Sequence, residues 1–304
     1  MRDVTAGQVR VRVEAAAINP VDYKKPTIPV ASRWLASDGA VVGIDVSGTI
    51  EEVGVAVTGF DVGDAVFGFA SGSLAQYAIC DSGKIAHKPH ALSHVDAATL
   101  PTAAVTGYQG LRDNGLKAGD QLLVLGASGG CGLAGVAIGK AMGAVVTGVC
   151  SSRNEAVVVS AGADRVVDYT KPETLASLRD FDMVYDTVTG SGTPSDPNYE
   201  LQLRAALKAE KPYVALNAGA SDWLRVLLSK ITGLRRRLQR PFYDLVLTDQ
   251  NGTDLEVLGK WAADGRLRLP VDKTFIFDAP SVTEAFDRLH SRRTVGKLVF
   301  VMAT

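Results

Sequence analysis

The chain has 304 residues, with 32 lysines and arginines against 33 aspartates and glutamates and a net charge of -1. That length points to two domains rather than one core, and the balanced charge excludes a basic footprint for nucleic acid. The three cysteines, Cys80, Cys131 and Cys150, lack metal-ligand spacing and are expected to be small buried apolar residues of a reducing compartment.

Met1-Arg2-Asp3 runs into an alternating strand, not the apolar segment of a secretory signal, so cytoplasmic residence is expected. Val9-Arg10-Val11-Arg12-Val13 alternates strictly, as a half-buried strand does. Further short strands are read across 41–53, 64–69 and 74–80, divided by Gly54, Gly59, Gly63 and Gly72. Many short strands with glycine turns imply a compact, barrel-like all-β unit. His87, His90 and His94 have no thiol or carboxylate at ligand spacing and are expected to be exposed loop residues around Lys88-Pro89.

From Thr99 the rhythm becomes strand–helix alternation. Strands are predicted at 121–126, 145–150, 165–169, 183–186 and 213–217, with helices near 131–142, 153–161, 172–179 and 198–208. Such βαβ units build a parallel sheet whose strands, covered on both faces, read as continuous apolar runs like Leu122–Leu125. The apolar stretch from Gly132 to Cys150, interrupted by Lys140 and several glycines, fits a buried helix and strand rather than a membrane span. An amphipathic stretch from Trp223 to Leu238 ends in Arg235-Arg236-Arg237, read as a solvated helix end or else as a dimer rim or acidic-surface patch. The tail reads as a strand from Phe275, a helix from Ser281 to Leu289 and a strand from Lys297 to Val301.

Within the second region, Leu122–Leu125 feeds Gly126-Ala127-Ser128-Gly129-Gly130-Cys131-Gly132, and a helix follows. Aligned as G-x-G-x-x-G, the three slots are Ala127, Gly129 and Gly132. The strand–turn–helix–strand context makes this a dinucleotide fingerprint. Gly129 admits the pyrophosphate to the backbone and Gly132 lets the helix pack on its strand. About twenty residues on, where an acid would take the ribose hydroxyls of NAD, the chain reads Cys150-Ser151-Ser152-Arg153-Asn154. Ser151 and Arg153 suit a 2′-phosphate, and NADPH is the expected cofactor. Ser151 or Ser152 also reads as a helix cap, which does not exclude phosphate contact.

Several segments in order give the chain a specific resemblance: Ala16-Ala17-Ile18-Asn19-Pro20-Val21-Asp22-Tyr23-Lys24, Gly43-Ile44-Asp45-Val46-Ser47-Gly48, Val62-Gly63-Asp64-Ala65-Val66, Leu100–Tyr108, the glycine turn, Ala161–Asp164, Tyr185–Val188 and Gly296–Val299. It resembles the medium-chain dehydrogenase/reductase superfamily, in its zinc-independent quinone oxidoreductase and enone reductase branch. The resemblance implies an α/β protein, a doubly wound Rossmann domain at 99–268 beside a GroES-like, barrel-type substrate domain at 1–98 and 269–304. It places Asn19 and Lys24 at the nicotinamide and substrate end, Lys24 as a hydrogen-bond donor or proton relay. It likewise places Thr106 near the nicotinamide, Tyr169 near the 2′-phosphate and Asn217 in the cofactor site. Asn19 also reads as a residue that stabilises the turn before Pro20. Asp45 and Asp64 read as turn and core hydrogen-bonding residues.

Zinc-dependent relatives carry a histidine after the glycine that matches Gly43, where this chain has Ile44, and an early cysteine that it lacks near Asn19. No metal is therefore expected, and alcohol oxidation loses its usual Lewis acid. The expected reaction is NADPH-dependent hydride delivery to a quinone or to the β-carbon of an enone or enal. The alternatives are a tailoring enoyl reductase on a carrier-bound or natural-product chain, its pocket shaped by 218–247, and an NADPH-binding sensor or structural protein with little turnover. A homodimer acting on a small molecule, with no nucleic acid and no membrane span, is implied. Relatives place a β-hairpin before the equivalent of Gly7-Gln8-Val9, and the chain begins almost at that strand; either the sequence starts late or the barrel lacks the hairpin, whose loss would expose a sheet edge.

Overall fold

The computed structural model describes residues 3–24, 41–189, 199–217 and 243–302. The chain divides into two compact units, Met1–Val105 with Asp249–Thr304, and Thr106–Thr248. Strands are numbered below in chain order among the described residues. No described helix is long and apolar enough to cross a membrane.

The first unit holds β1 (Gln8–Ile18), β2 (Asp45–Val53), β3 (Ala65–Phe69), β4 (Tyr77–Asp81) and β5 (Ile85–His87), with β12 (Val271–Ile276) and β13 (Lys297–Val301) from the tail. They form one sheet in the order β12-β13-β1-β2-β3-β5, with β4 also on β1. Both sides of β1 are paired: β2 runs along one side, while β4 pairs with Gln8–Arg12 and β13 with Ala15–Ile18 on the other. Val9, Val11 and Val13 point into the core, while Arg10 and Arg12 turn out to pair with Glu52 and Glu51. From Ala15 onward both faces are buried, and Ala15 and Ala17 pack with Ala98 of the helix His94–Ala98. Alanine suits that seat because it lets a helix approach the sheet closely.

The tail's strand–helix–strand is as read, with the helix at Ala279–His290 joining β12 to a parallel β13. Along the chain the division differs from the expected 99–268: residues 99–105 and 249–268 cluster with the first unit. The helix Gly252–Ala263 starts at Asn251, whose side chain accepts from Asp254 N at 2.8 Å. Its Gly259 faces the Phe67 ring, where an added Cβ would lie 3.1 Å from that ring.

The second unit holds β6 (Gln121–Leu125), β7 (Val145–Cys150), β8 (Arg165–Asp168), β9 (Met183–Asp186), β10 (Tyr213–Ala215) and β11 (Tyr243–Leu245). Every pairing in this sheet is parallel and the order is β11-β10-β9-β6-β7-β8. That is the doubly wound nucleotide-binding arrangement. The helices are shorter than predicted: 172–179 reduces to Pro172–Ala176, 198–208 to Tyr199–Arg204, and 153–161 to a 3-10 turn Ser152–Asn154 followed by Glu155–Ser160. Gly162, at φ +109°, ends the last of these in a conformation that a helix cannot continue. The stretch from Trp223 to Leu238, with Arg235–Arg237, lies outside the described residues, as does most of 218–247.

Candidate functional site

In a parallel sheet all the strands point one way, so the residues just past them gather at one end. Gly126 follows β6, Ser151 follows β7, Tyr169 follows β8, Thr187 follows β9, and Asn217 lies two residues past β10. The chain winds outward in opposite directions from β6 and from β9, which places the switch point between them. Doubly wound sheets bind ligands in the crevice outside the strand ends at that point.

Three glycines of the turn have separate tasks. Gly126 adopts φ +72°, and a Cβ on it would lie 2.5 Å from both Thr187 Oγ1 and Val188 Cγ2. The tight-turn residue is thus Gly126, one position before the slot assigned to Ala127. Ala127 is fully buried, and its N–H donates to Val149 O at 2.9 Å, so neither its side chain nor its amide serves a ligand. A Cβ on Gly132 would lie 2.0 Å from Gly126 O, so this glycine lets the helix Gly130–Ala141 begin directly against the turn. Gly129 caps that helix, and a Cβ there would meet nothing nearer than Gly126 O at 3.6 Å.

The space beside Gly129 therefore lies open in front of a helix start. First-turn amides there, among them those of Gly130 and Gly132, have no acceptor within the helix, and the dipole favours negative charge. This cradle fits a dinucleotide pyrophosphate. Ser128 accepts from Asn154 Nδ2 at 3.0 Å, which ties the turn to the segment after β7. Asn154 was not singled out from the sequence, although a short amide beside Arg153 is a turn-forming signal.

Ser151 is half-buried and precedes the 3-10 turn without a side-chain capping bond, while Arg153 is exposed. Tyr169 is 42% exposed, and its N–H donates to Cys150 O at 3.2 Å. Beside it Asp168 closes β8; hydrogen bonds from Thr170 N, Thr170 Oγ1 and Ser152 hold its carboxyl below the usual range. Thr106 is buried, with Oγ1 2.7 Å from Thr248 Oγ1, and Asn217 Nδ2 donates to Thr187 O at 3.4 Å. Cys131 is half-buried at the second helical position, whereas Cys80 and Cys150 are buried and their thiols are pushed up to about 12 and about 11.

The first unit carries a separate polar cluster. Asn19 is 4% exposed; its Nδ2 donates to Asp45 Oδ2 at 2.9 Å and its Oδ1 accepts from Lys297 Nζ. Its backbone N–H donates to Asp22 Oδ2 at 2.7 Å and its carbonyl accepts from Asp22 N at 2.9 Å, which closes the turn into the helix Pro20–Lys24. The turn is thus closed by the Asn19 backbone with Asp22, while both polar ends of the Asn19 side chain are engaged by Asp45 and Lys297 inside this unit. Lys297 Nζ lies 3.1 Å from Asp45 Oδ2, and Asp45 Oδ1 accepts from Thr102 N at 2.9 Å and Thr102 Oγ1 at 2.5 Å. The side chain of Lys24 lies outside the described residues. Nothing local to Lys297 marked it as a partner of Asn19.

His94 departs from its expected exposed state. It opens a helix, is half-buried, and sits with Nδ1 2.8 Å from Ser47 Oγ, which itself donates to Val66 O. Burial, followed by the nearby Lys88 charge, lowers its pKa. His87 and His90 are exposed. The residues present do not fit a zinc ion: Ile44 follows Gly43 with a purely hydrocarbon side chain. Among the described residues no three histidine, cysteine or acidic side chains gather as a ligand set.

The fold and turn define a dinucleotide-binding scaffold, and comparisons with known proteins carry this further. Residues 5–91 match the alcohol dehydrogenase GroES-like domain family, and residues 161–300 match the zinc-binding dehydrogenase family. The trans-enoyl reductase pgmF of Aspergillus terreus is 32% identical over 313 residues, 96% of this chain and 85% of that protein. The 2-methylene-furan-3-one reductase of Solanum lycopersicum is 33% identical, over 98% of this chain and 72% of its own length. The quinone oxidoreductase from Coxiella burnetii superposes with a TM-score of 0.83 at 27% identity, covering 100% of this chain and 93% of that one. The chain belongs to the medium-chain dehydrogenase/reductase superfamily, in its zinc-independent quinone and enone reductase branch. Its cofactor class is a nicotinamide dinucleotide.

Proposed function

We propose that this protein is an NADPH-dependent reductase of C=C bonds conjugated to a carbonyl. The observation that carries the reading is the open Gly129 cradle, with Ser151, Arg153 and Tyr169 past the neighbouring strands. This chain aligns over nearly all its length with relatives named as enoyl and enone reductases. Quinones form a second substrate class, supported by the likeness to the Coxiella burnetii enzyme. When bound, a nicotinamide dinucleotide would supply hydride chemistry toward the β-carbon of such a substrate, balanced by a proton at the α-carbon.

The chain's own groups bind and orient. First-turn amides of the helix Gly130–Ala141 take the pyrophosphate, while Ser151, Arg153 and Tyr169 take the 2′-phosphate. Thr106 and Asn217 serve the nicotinamide end. Lys24 supplies the proton or holds the carbonyl oxygen, and Asn19 acts as a positioning residue for its helix. The same reading makes the protein a homodimer, which sedimentation velocity tests.

Arg153→Ala tests the cofactor choice. One charge-assisted bond is worth about 1.5–3 kcal/mol, and solvent screening at an exposed site holds the loss near the lower end. NADPH is expected to bind about tenfold more weakly while NADH changes less than twofold. Equal losses for the two dinucleotides sink the 2′-phosphate assignment. The substrate class is tested by NADPH oxidation over enones, enals, quinones and carrier-linked enoyl thioesters. Turnover confined to carrier-linked chains favours the tailoring enzyme, and tight NADPH binding without turnover on any of them favours the sensor.

A further inference from the structure

The loop after β9 packs against the Gly126 turn that follows β6, and a buried pair of side chains holds it. Asp186, the last residue of β9, is fully buried. Its Oδ1 accepts from Val188 N at 2.8 Å and from Thr189 N at 2.9 Å, and its Oδ2 accepts from the Tyr213 hydroxyl. Tyr213 stands on the adjacent β10, fully buried, with its ring stacked on Tyr243 at 6.0 Å and the Arg204 guanidinium 5.4 Å from its centroid.

The loop so held meets the glycine turn directly. Thr187 Oγ1 donates to Leu125 O at 2.7 Å, and Thr187 and Val188 occupy the space that a Cβ on Gly126 would need. Asp186 therefore links three things: the end of β9, the backbone of 187–189 and, through that loop, the Gly126 turn. A carboxylate that accepts two amides on one oxygen has its second oxygen to satisfy, and a buried one left unsatisfied costs about 1–3 kcal/mol. Among the described residues, the Tyr213 hydroxyl fills that need.

We propose that Tyr213 and Asp186 are positioning residues for the dinucleotide: by fixing residues 187–189 against Gly126 they set the crevice wall beside the turn, and hence dinucleotide affinity, without touching the reacting atoms. The inference rests on the cofactor reading above and extends it to two residues on the interior side of the loop. Tyr213→Phe removes one hydroxyl and leaves the stacked ring, so the sheet keeps its packing. Asp186→Asn keeps an oxygen for the two amides and offers an amide N–H to the phenol oxygen, whereas Asp186→Ala keeps neither.

The test measures NADPH affinity by fluorescence titration, together with steady-state kinetics and the melting temperature. Tyr213→Phe is expected to raise the Kd and KM for NADPH about tenfold, with kcat at saturating NADPH falling less than twofold. Asp186→Asn should stay within threefold of wild-type affinity and Asp186→Ala should lose more than tenfold. Unchanged affinity in both Tyr213→Phe and Asp186→Ala overturns the inference. So does a loss of kcat in Tyr213→Phe that parallels its melting temperature, the mark of a purely structural role. If Tyr213→Phe does not fold, the contrast between the two Asp186 variants decides the matter alone. A wild-type protein that binds no dinucleotide overturns the proposed function as well, which separates the two failures.

Discussion

Lys297→Met is expected to destabilise the protein by about 3–5 kcal/mol, the range for removing one partner of a buried ion pair. Lys297 is 3% exposed and Asp45 is fully buried, with Nζ 3.1 Å from Oδ2. Asp45 has no solvent to fall back on: Asn19 and Thr102 supply its remaining bonds, and both are neutral donors. Removing the ammonium leaves a buried carboxylate without a counter-charge, which is far costlier than a lost surface pair. It also removes the donor to Asn19 Oδ1 and a weaker one, at 3.4 Å, to Ile18 O. Lys297→Met with Asp45→Asn restores neutrality, so the double variant should lose clearly less than the sum of the two singles. Denaturant unfolding reads this as a shift in midpoint at unchanged slope. A single-variant loss below about 1 kcal/mol, or strict additivity in the double, contradicts the coupling.

That pair also shows where reading the sequence stops. Asn19, Asp45 and Lys297 lie on three strands or strand ends joined only by the pairing of β1 with β2 and β13. Local periodicity says that each segment is extended but not which strands become neighbours. The glycine turn is different, because its signal is wholly local: an apolar strand, glycines at fixed offsets and a helix within a dozen residues. Even there the offset shifted by one, since G-x-G-x-x-G spacing favours Ala127 whereas the backbone puts φ +72° at Gly126.

Two helices mark the same boundary from the other side. Gly252–Ala263 carries a readable start, Asn251 capping Asp254 N, and an inward pair, Leu255 and Leu258, both fully buried. Its place in the first unit comes with contacts to Phe67, Ile85 and Pro89, far away in sequence, and no local pattern states that. The helix predicted at 153–161 begins only at Glu155, because the 3-10 turn at Ser152–Asn154 takes its first residues. There the Asn154 bond to Ser128 joins it to the glycine turn.

Gly129→Ala and Gly132→Ala should part company, and the contrast decides whether the turn is a ligand cradle or only a tight corner. Both residues lie at the same helix start, and both substitutions add one methyl group. At Gly132 that methyl would sit 2.0 Å from Gly126 O, a backbone atom with no rotamer by which to retreat. Overpacking of this kind costs on the order of 1–3 kcal/mol, against less than about 1 kcal/mol regained from helix propensity. The expected result is a lowered melting temperature with or without cofactor. At Gly129 the nearest atom would be 3.6 Å away and φ is -78°, so the fold accepts alanine with little change in stability. The methyl instead fills the space through which a phosphate reaches the first-turn amides, and each charge-assisted bond lost is worth about 1.5–3 kcal/mol. NADPH affinity should therefore fall roughly 10- to 150-fold in Gly129→Ala while its cofactor-free melting temperature stays near that of the wild type. Wild-type NADPH affinity in Gly129→Ala removes the pyrophosphate from this turn. An undisturbed melting temperature in Gly132→Ala removes the close packing of helix on turn that makes the cradle.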